Sequence, residues 1–302
     1  MAKPLISVCI PNFNRADFLA KNLAAIGRQA DRTIEVVISD NASTEDTRGV
    51  VGKFQNKFPN LKVRFHRNRT NVGFDKNVIR VVDLARGEYC WLLSNDDQIL
   101  PGSLAKIKQV IHTKQPAFIF VNYSRFDNRV KKVTAARMVD LKRDLHFGNA
   151  SEFYFWPTPS SYFKLLGINV LTMSCDIFKR KYWRQSITKT QRFVDHNFIH
   201  VFTILDFIRY HPQIYVMAKP QVQYVSNNHR PWANYIWTDY RHHLLDSLLR
   251  LGYDSTKVKK LKEALKQDEI NERLLIKGEK LGIYQKLYPI IRKIRNLLGH
   301  RV

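Results

Sequence analysis

The stretch from Glu88 to Pro101 reads E-Y-C-W-L-L-S-N-D-D-Q-I-L-P. Tyr89 to Leu93 is an almost wholly apolar run of aromatic and branched residues, which suits a strand buried on both faces. It ends abruptly in Ser94-Asn95-Asp96-Asp97, with Pro101 and an amphipathic segment following. Two adjacent carboxylates at the end of a buried strand resist joint ionisation. A divalent cation removes that cost, and hard oxygen ligands select Mg²⁺ or Mn²⁺, completed by the phosphates of a nucleotide. The competing reading is a polar turn that caps the next helix.

Working outward, the same grammar repeats. Leu5 to Ile10 is strand-like and stops at Pro11-Asn12-Phe13-Asn14; Arg15 to Arg28 then carries Phe18, Leu19, Leu23 and Ile26 at helical spacing. Ile34 to Ile38 is a second strand closed by Ser39-Asp40-Asn41-Ala42-Ser43, and Ser43 or Thr44 is placed to cap the next helix. Leu61 to His66 is a third, running into Asn68-Arg69-Thr70-Asn71-Val72-Gly73, with a helix over Asp75 to Arg86. After the opening strand come a helix through Leu104, Ile107, Val110 and Ile111 and a strand over Ala117 to Val121. Alternating strands and helices predict an α/β fold with a mostly parallel central sheet flanked by helices. Ligands of such sheets gather at the carboxyl ends of the strands, where every one of these polar clusters lies.

The clusters have physical tasks. Asp40 and Asn41 are short acceptor and donor groups suited to a base edge or ribose hydroxyls. Gly73 lets a backbone approach a phosphate closely, and Lys76 lies in the first turn of a helix whose amino end favours anions. A lone Asn-x-Gly is usually just a turn; four such clusters at consecutive strand ends are not so easily dismissed. Neither a P-loop nor a dinucleotide fingerprint is present.

The 302 residues carry 50 Lys+Arg against 26 Asp+Glu, a formal charge of +24. Such a surface is drawn to polyanions: nucleic acid, anionic lipid or phosphorylated substrates. Cys9, Cys90 and Cys175 are odd in number and far apart, which predicts reduced thiols in a cytoplasmic protein. No secretory leader pattern and no uninterrupted apolar run of spanning length is present, so neither export nor a transmembrane helix is expected.

Ser7-Val8-Cys9-Ile10-Pro11-Asn12-Phe13-Asn14-Arg15 resembles the S-V-x-I-P-x-Y-N-R opening of glycosyltransferase family 2. Glu35 to Ser43 is similar to its E-x-x-V-x-D-D/N-x-S segment, Asn71-Val72-Gly73 to its N-x-G, and Ser94 to Asp97 with Pro101 to its D-x-D-D-x-x-x-P. The four motifs occur in order over roughly residues 4–122, and W-L-L-S-N-D-D resembles the abequosyltransferase-like branch of bacterial surface polysaccharide synthesis. The resemblance implies a GT-A fold, a UDP-, GDP-, CDP- or dTDP-sugar donor and Mn²⁺ or Mg²⁺ on its diphosphate. Pro11, Asn14, Arg15, Asp40 and Asn41 would then surround the nucleoside, with Asn71, Gly73, Lys76 and Asn95 completing the donor site. Asp96 would occupy the metal position with Asp97 beside it. Ser94 departs from the family pattern, standing where its first acidic residue is expected, and a hydroxyl is a weaker ligand.

Three segments are expected: residues 1–122 as the donor half, 123–225 as the acceptor half and 226–302 as a basic helical extension. Arg125 to Asn149 reads as a basic, mobile loop over the donor. Inverting transfer needs a general base within reach of the acceptor hydroxyl. Counted back from a strand at Gln213 to Val216, the family's E-D pair is absent; Asp195 ranks first as its replacement and His200 second, though either is also readable as a satisfied polar residue. Leu287, Ile290, Ile291, Ile294, Leu297 and Leu298 recur between Lys286, Arg292, Lys293, Arg295 and Arg301, the pattern of an amphipathic helix on the inner face of an anionic membrane; the alternative is an ordinary terminal helix packed on the domain with a solvated basic face. The leading expectation is an inverting transferase acting on a lipid-linked surface glycan. The alternatives are a basic nucleic-acid-binding protein, for which no RRM, KH or zinc motif speaks, and a degraded relative that binds nucleotide sugar without turnover.

Overall fold

The computed structural model describes residues 3–158, 165–195, 197–226 and 244–263. In chain order the elements of the first unit are β1 (Ile6–Asn12), α1 (Ala16–Gly27), β2 (Ile34–Asp40), α2 (Thr47–Lys57), β3 (Lys62–Arg67), α3 (Phe74–Leu84), β4 (Tyr89–Leu92) and β5 (Gln98–Ile99). Then follow α4 (Ser103–Lys114), β6 (Phe118–Asp127), β7 (Lys132–Ala135), β8 (Leu145–Phe147), α5 (Ala150–Tyr154), β9 (Asp176–Lys179), α6 (Arg180–Thr190), α7 (Ile199–Tyr210) and β10 (Ile214–Ser226). β1, β2 and β4 are buried at every position, as continuous apolar runs covered on both faces should be. β3 lies at the margin and is only half buried.

The sheet order is β3-β2-β1-β4-β9-β6-β10-β5, with β7 on β6 and β8 on β10. β1 runs parallel to β2 and β4, β2 to β3, and β6 to β10. β9, which periodicity did not reveal, is antiparallel to both β4 and β6. β4 and β6 therefore run the same way, so the carboxyl ends of β1 to β4 and of β6 share one edge. That edge carries the polar clusters. On one face of β9, Phe178 stacks on Trp183 of α6 at 4.9 Å and tilts against Phe207 of α7 at 6.1 Å, fastening the helical pair to the sheet.

Two local expectations change. The helix α2 is capped by Asp46, which accepts from the Gly49 amide at 2.8 Å, and not by Ser43 or Thr44. Ser43 is committed elsewhere, because its hydroxyl serves Asp40 and Asn14. Residues 125–149 are not one long loop: they contain the end of β6, a hairpin into β7, and β8.

The structure divides into two compact units, Met1–Ile236 and Trp237–Val302. In the second, residues 244–250 and 255–263 are helical, Leu244, Leu245, Leu248 and Val258 are buried, and Lys262 pairs with Asp246 at 3.1 Å. The expected basic helix over residues 280–302 lies outside the described residues. Among the described residues no helix is long and apolar enough to cross a membrane. Cys9, Cys90 and Cys175 are free and buried.

At the opposite edge, Glu35 of β2 accepts from the Ser7 hydroxyl and from the amides of Arg86 and Gly87. This closes the turn that feeds β4. An added Cβ at Gly87 would sit 2.6 Å from the Ser7 nitrogen and 2.9 Å from the Tyr89 carbonyl oxygen, so the chain passes here only as glycine. Glu35→Ala would strand these buried donors and is expected to cost about 3 kcal/mol in urea unfolding. A loss below about 1 kcal/mol, the scale of one ordinary hydrogen bond, would refute that role.

Candidate active site

The register of β1, β2 and β3 sets Asn12, Asp40 and Arg67 in one row across three strand ends. Their side chains are joined: Asn12 Nδ2 donates to Asp40 Oδ1 at 3.1 Å, and Arg67 Nη1 to Asp40 Oδ2 at 3.2 Å. The Ser43 and Thr47 hydroxyls add to the same carboxylate, and Arg67 Nη2 reaches the Ser43 carbonyl at 2.7 Å. A buried carboxylate is tolerable only when paired and hydrogen-bonded in this way. Asp40 therefore lies beneath the surface as a tie between strand ends. Pro11 is buried within β1, in register with Ser39.

Asn41 works the same way on the next loop. Its Nδ2 donates to Asn71 Oδ1 at 2.7 Å and to the Gly73 carbonyl at 3.2 Å, and its Oδ1 accepts from the Val72 amide at 3.0 Å. Gly73 adopts φ +87°, which explains the glycine of this turn. Asn14 stitches the first loop to the second: its amide donates to Ser43 Oγ at 2.8 Å, and its Oδ1 accepts from the Thr44 amide at 2.8 Å. The Arg15 amide donates to Glu45 at 2.8 Å. Asn14, Arg15 and Ala42 all hold positive φ (42°, 125° and 60°), a concentration of strained backbone on one rim. The exposed groups on these loops include Phe13, Arg67, Asn71, Gly73, Phe74 and Lys76.

At the end of β4, Asn95 Nδ2 donates to Asn12 Oδ1 at 2.8 Å, which binds the Ser-Asn-Asp-Asp turn to the first strand end. The adjacent carboxylates are both buried, 2% and 3% exposed, but take different partners. Asp97 turns inward: its Oδ2 accepts from the Ser174 hydroxyl at 2.6 Å and its Oδ1 from the Val225 amide at 3.0 Å. Burial raises its pKa to about 6. It ties the turn to β10, which leaves it poorly placed as the second metal carboxylate the sequence suggested. Asp96 accepts from the Ser94 hydroxyl at 2.6 Å, so the serine at the departed position supports the carboxylate. Among the described residues no group of three or more His, Cys, Asp or Glu could hold an ion alone. One carboxylate with a supporting hydroxyl fits a hard cation completed by donor phosphates, not an all-protein cage.

Asp195, far downstream of that turn in the chain, is brought to the amino end of α3. Its side chain is 72% exposed and its Oδ1 lies 3.9 Å from Lys76 Nζ, next to Gly73. Asp195 and Asn197 both hold left-handed φ (76° and 61°). The loop keeps this shape because buried Asp75, in the first turn of α3, accepts from the amides of Asn197 at 2.9 Å and Ile199 at 3.1 Å. Burial pushes the Asp75 carboxyl upward while these amides oppose it. His200 is placed otherwise. It is 2% exposed inside α7, beside Phe74 and Phe198, with no hydrogen bond of ordinary geometry to either ring nitrogen; the Leu171 backbone is the polar group that faces it. Periodicity gave no sign of Arg67, Asp75 or Ser174 as supports, because each acts on a residue distant in the chain.

Burial lowers the His200 pKa to about 4 from the ordinary 6.5. The unfolded chain therefore binds the extra proton between these values, and the stability due to neutral His200 is lost as pH falls from 6.5 through 4. Relative to wild type, His200→Leu should gain stability progressively over that window, by up to about 3 kcal/mol. Thermal midpoints at matched pH test this, and a gap that does not change with pH would contradict it.

Residues 7–185 match the family model described as glycosyl transferase family 2. The abequosyltransferase RfbV of Salmonella typhimurium is 36% identical over 117 residues, covering 38% of this chain and 35% of that protein. The GalNAc(5)-diNAcBac-PP-undecaprenol beta-1,3-glucosyltransferase of Campylobacter jejuni is 33% identical over 106 residues, 35% of this chain and 34% of that one. The chain thus spans about a third of the length of these curated relatives. The crystal structure of S. aureus TarS 1-349 in complex with UDP superposes with a TM-score of 0.63 at 14% identity, covering 85% of this chain and 69% of that chain. The mannosyltransferase PcManGT of Pyrobaculum calidifontis, in complex with GDP-Man and Mn²⁺, gives 0.53 at 16% identity, covering 100% and 89%. At such identities the superpositions speak for the fold, which is GT-A. The motif row at the strand ends, the GT-A sheet and a family match over more than half its length make this chain a member of glycosyltransferase family 2.

Proposed function

We propose that this chain is an inverting glycosyltransferase, passing a sugar from a nucleotide-sugar donor to a lipid-carried bacterial surface glycan. The observation that carries the reading is Asp195: a solvent-facing carboxylate held in strained backbone over the Asn71-Val72-Gly73 turn, on the edge where the family's donor motifs converge. Such a group is placed to serve as general base. It would take the proton of the acceptor hydroxyl as that oxygen bonds to the anomeric carbon, while the carbon–oxygen bond to the diphosphate breaks and the nucleoside diphosphate leaves. Lys76, 3.9 Å away, keeps the carboxylate oriented between turnovers; the pair is exposed and contributes little to stability.

On the donor side, Pro11, Asn14 and Arg15 form the nucleoside rim, with Asp40 and Asn41 holding it from beneath. Asn71, Gly73 and Lys76 face the phosphates, and Asn95 fixes the turn that carries the buried Asp96. Asp96 would hold Mn²⁺ or Mg²⁺ jointly with the donor diphosphate; when bound, the ion neutralises charge on the leaving group. The choice of acceptor is supported by the relatives, one named for abequose transfer and one for an undecaprenol-linked glycan. The nucleotide-bound neighbours, with UDP and with GDP-Man, support a nucleotide-sugar donor. Work on lipid-carried glycan places the chain at the inner membrane face, and nucleic acid has no part in it.

Melting the protein with UDP, GDP, CDP or dTDP, each with and without Mn²⁺, should give a metal-dependent rise for one of them. Asp96→Ala should remove the metal-dependent part of the rise. Asp195→Asn should keep the full rise while lowering kcat about 10³-fold. If no nucleotide shifts wild type, the donor reading fails; if Asp195→Asn turns over normally, the base lies elsewhere.

A further inference from the structure

We infer that the hairpin between β6 and β7 is a docking element for an anionic lipid surface. Its tip, Arg129-Val-Lys-Lys-Val-Thr134, is exposed at every position. Val130 and Val133 are 47% and 51% exposed, among the few large apolar side chains so uncovered in the described residues. Between and beside them stand Arg129, Lys131 and Lys132, with Arg125 and Arg137 at the base of the hairpin. The nearby acids offset the base of the hairpin at Arg137 but not the three cations of the tip. Asp127 is buried and accepts from the amides of Arg129 at 2.9 Å and Val130 at 3.3 Å, while Asp140 pairs with Arg137 at 3.2 Å.

The tip is also preformed. The Asp127 turn, the positive φ of Lys131 (53°) and the Lys131 Nζ bond to Asn128 Oδ1 at 2.7 Å define its shape. Lysines on an edge strand protect it from unwanted pairing, but that purpose does not call for two exposed valines at the turn. Aliphatic side chains ringed by cations match the boundary between headgroups and acyl chains. They match nucleic acid poorly, since the tip has no aromatic ring to stack on a base. The placement adds a geometric argument. β6 runs parallel to β4 through β9, so the hairpin projects from the same sheet edge as Ser94 to Asp97. A surface bound there would face the site.

The test is co-sedimentation of the full chain with phosphatidylcholine vesicles containing phosphatidylglycerol, alongside retention on heparin as a soluble polyanion. No donor or acceptor is added, so failure here leaves the transfer reading untouched. R129Q/K131Q/K132Q should lower vesicle partition about 100-fold, taking about fivefold per cation near the surface. V130S/V133S should lower vesicle partition about tenfold and leave heparin retention unchanged. Both variants should melt with wild type, since the changed side chains are exposed. Vesicle binding unchanged in the triple variant would overturn the assignment, as would absence of binding by wild type. Equal losses on heparin and vesicles with an inert valine variant would make the hairpin a site for soluble polyanions, and would overturn it too.

Discussion

The Asp40 carboxylate is the constraint on which this site rests. It lies at the end of β2 with no solvent exposure, and Arg67, Asn12, Ser43 and Thr47 all converge on it. An unpaired charge there would be prohibitive, so the three strand ends must come to register before the carboxylate can be buried. Once they do, the loops that leave them have little freedom. Asn14 is sewn to Ser43 and Thr44, Asn41 to the Asn71-Val72-Gly73 turn, and Asn95 to Asn12. Any ligand of this edge would meet a surface ordered in advance, and pre-organisation of that kind spares the ordering cost of binding.

The second half of the chain completes the edge through few but buried contacts. Asp75 collects the amides of the loop after α6, and Asp97 collects Ser174 and the Val225 amide. Each is an acid inside the protein whose pKa burial raises, and each joins segments more than 70 residues apart. Removing either would free a loop, not a helix or a strand. The positive φ angles of Asp195 and Asn197 lie on the first of these loops. Strain there persists because the surrounding hydrogen bonds over-determine the backbone.

Antiparallel β9 gives the sheet its reach. It adds no polar cluster of its own, yet by pairing with β4 on one side and β6 on the other it sets the direction of the following strands. The long β10 then bulges between Met217 and Val222, so that one strand pairs with β8 along its first part and with β5 along its last. The amide of Val225, beyond that bulge, is the one that holds Asp97. A deformation in β10 thus governs a carboxylate at the end of β4.

The sequence by itself determined the alternation of strands and helices, the four polar clusters at strand ends and the family they resemble. Each of these is local: a run of apolar residues, a helical spacing, a turn of short polar side chains. It ranked Asp195 above His200 but contained no physical reason to separate them, and it set Asp96 and Asp97 side by side as equals. The missing strand β9, the hairpin within 125–149 and the capping of α2 by Asp46 were out of reach for the same reason. Their patterns are short, or their outcome turns on a competing partner such as Asp40 for Ser43. Only the tertiary structure decided that Asp97 faces the core and Asp195 faces solvent, because the groups that orient them, Ser174, Val225 and Asp75, lie 77, 128 and about 120 residues away. Burial and hydrogen-bond satisfaction are properties of the assembled surroundings, and no stretch of sequence carries them alone.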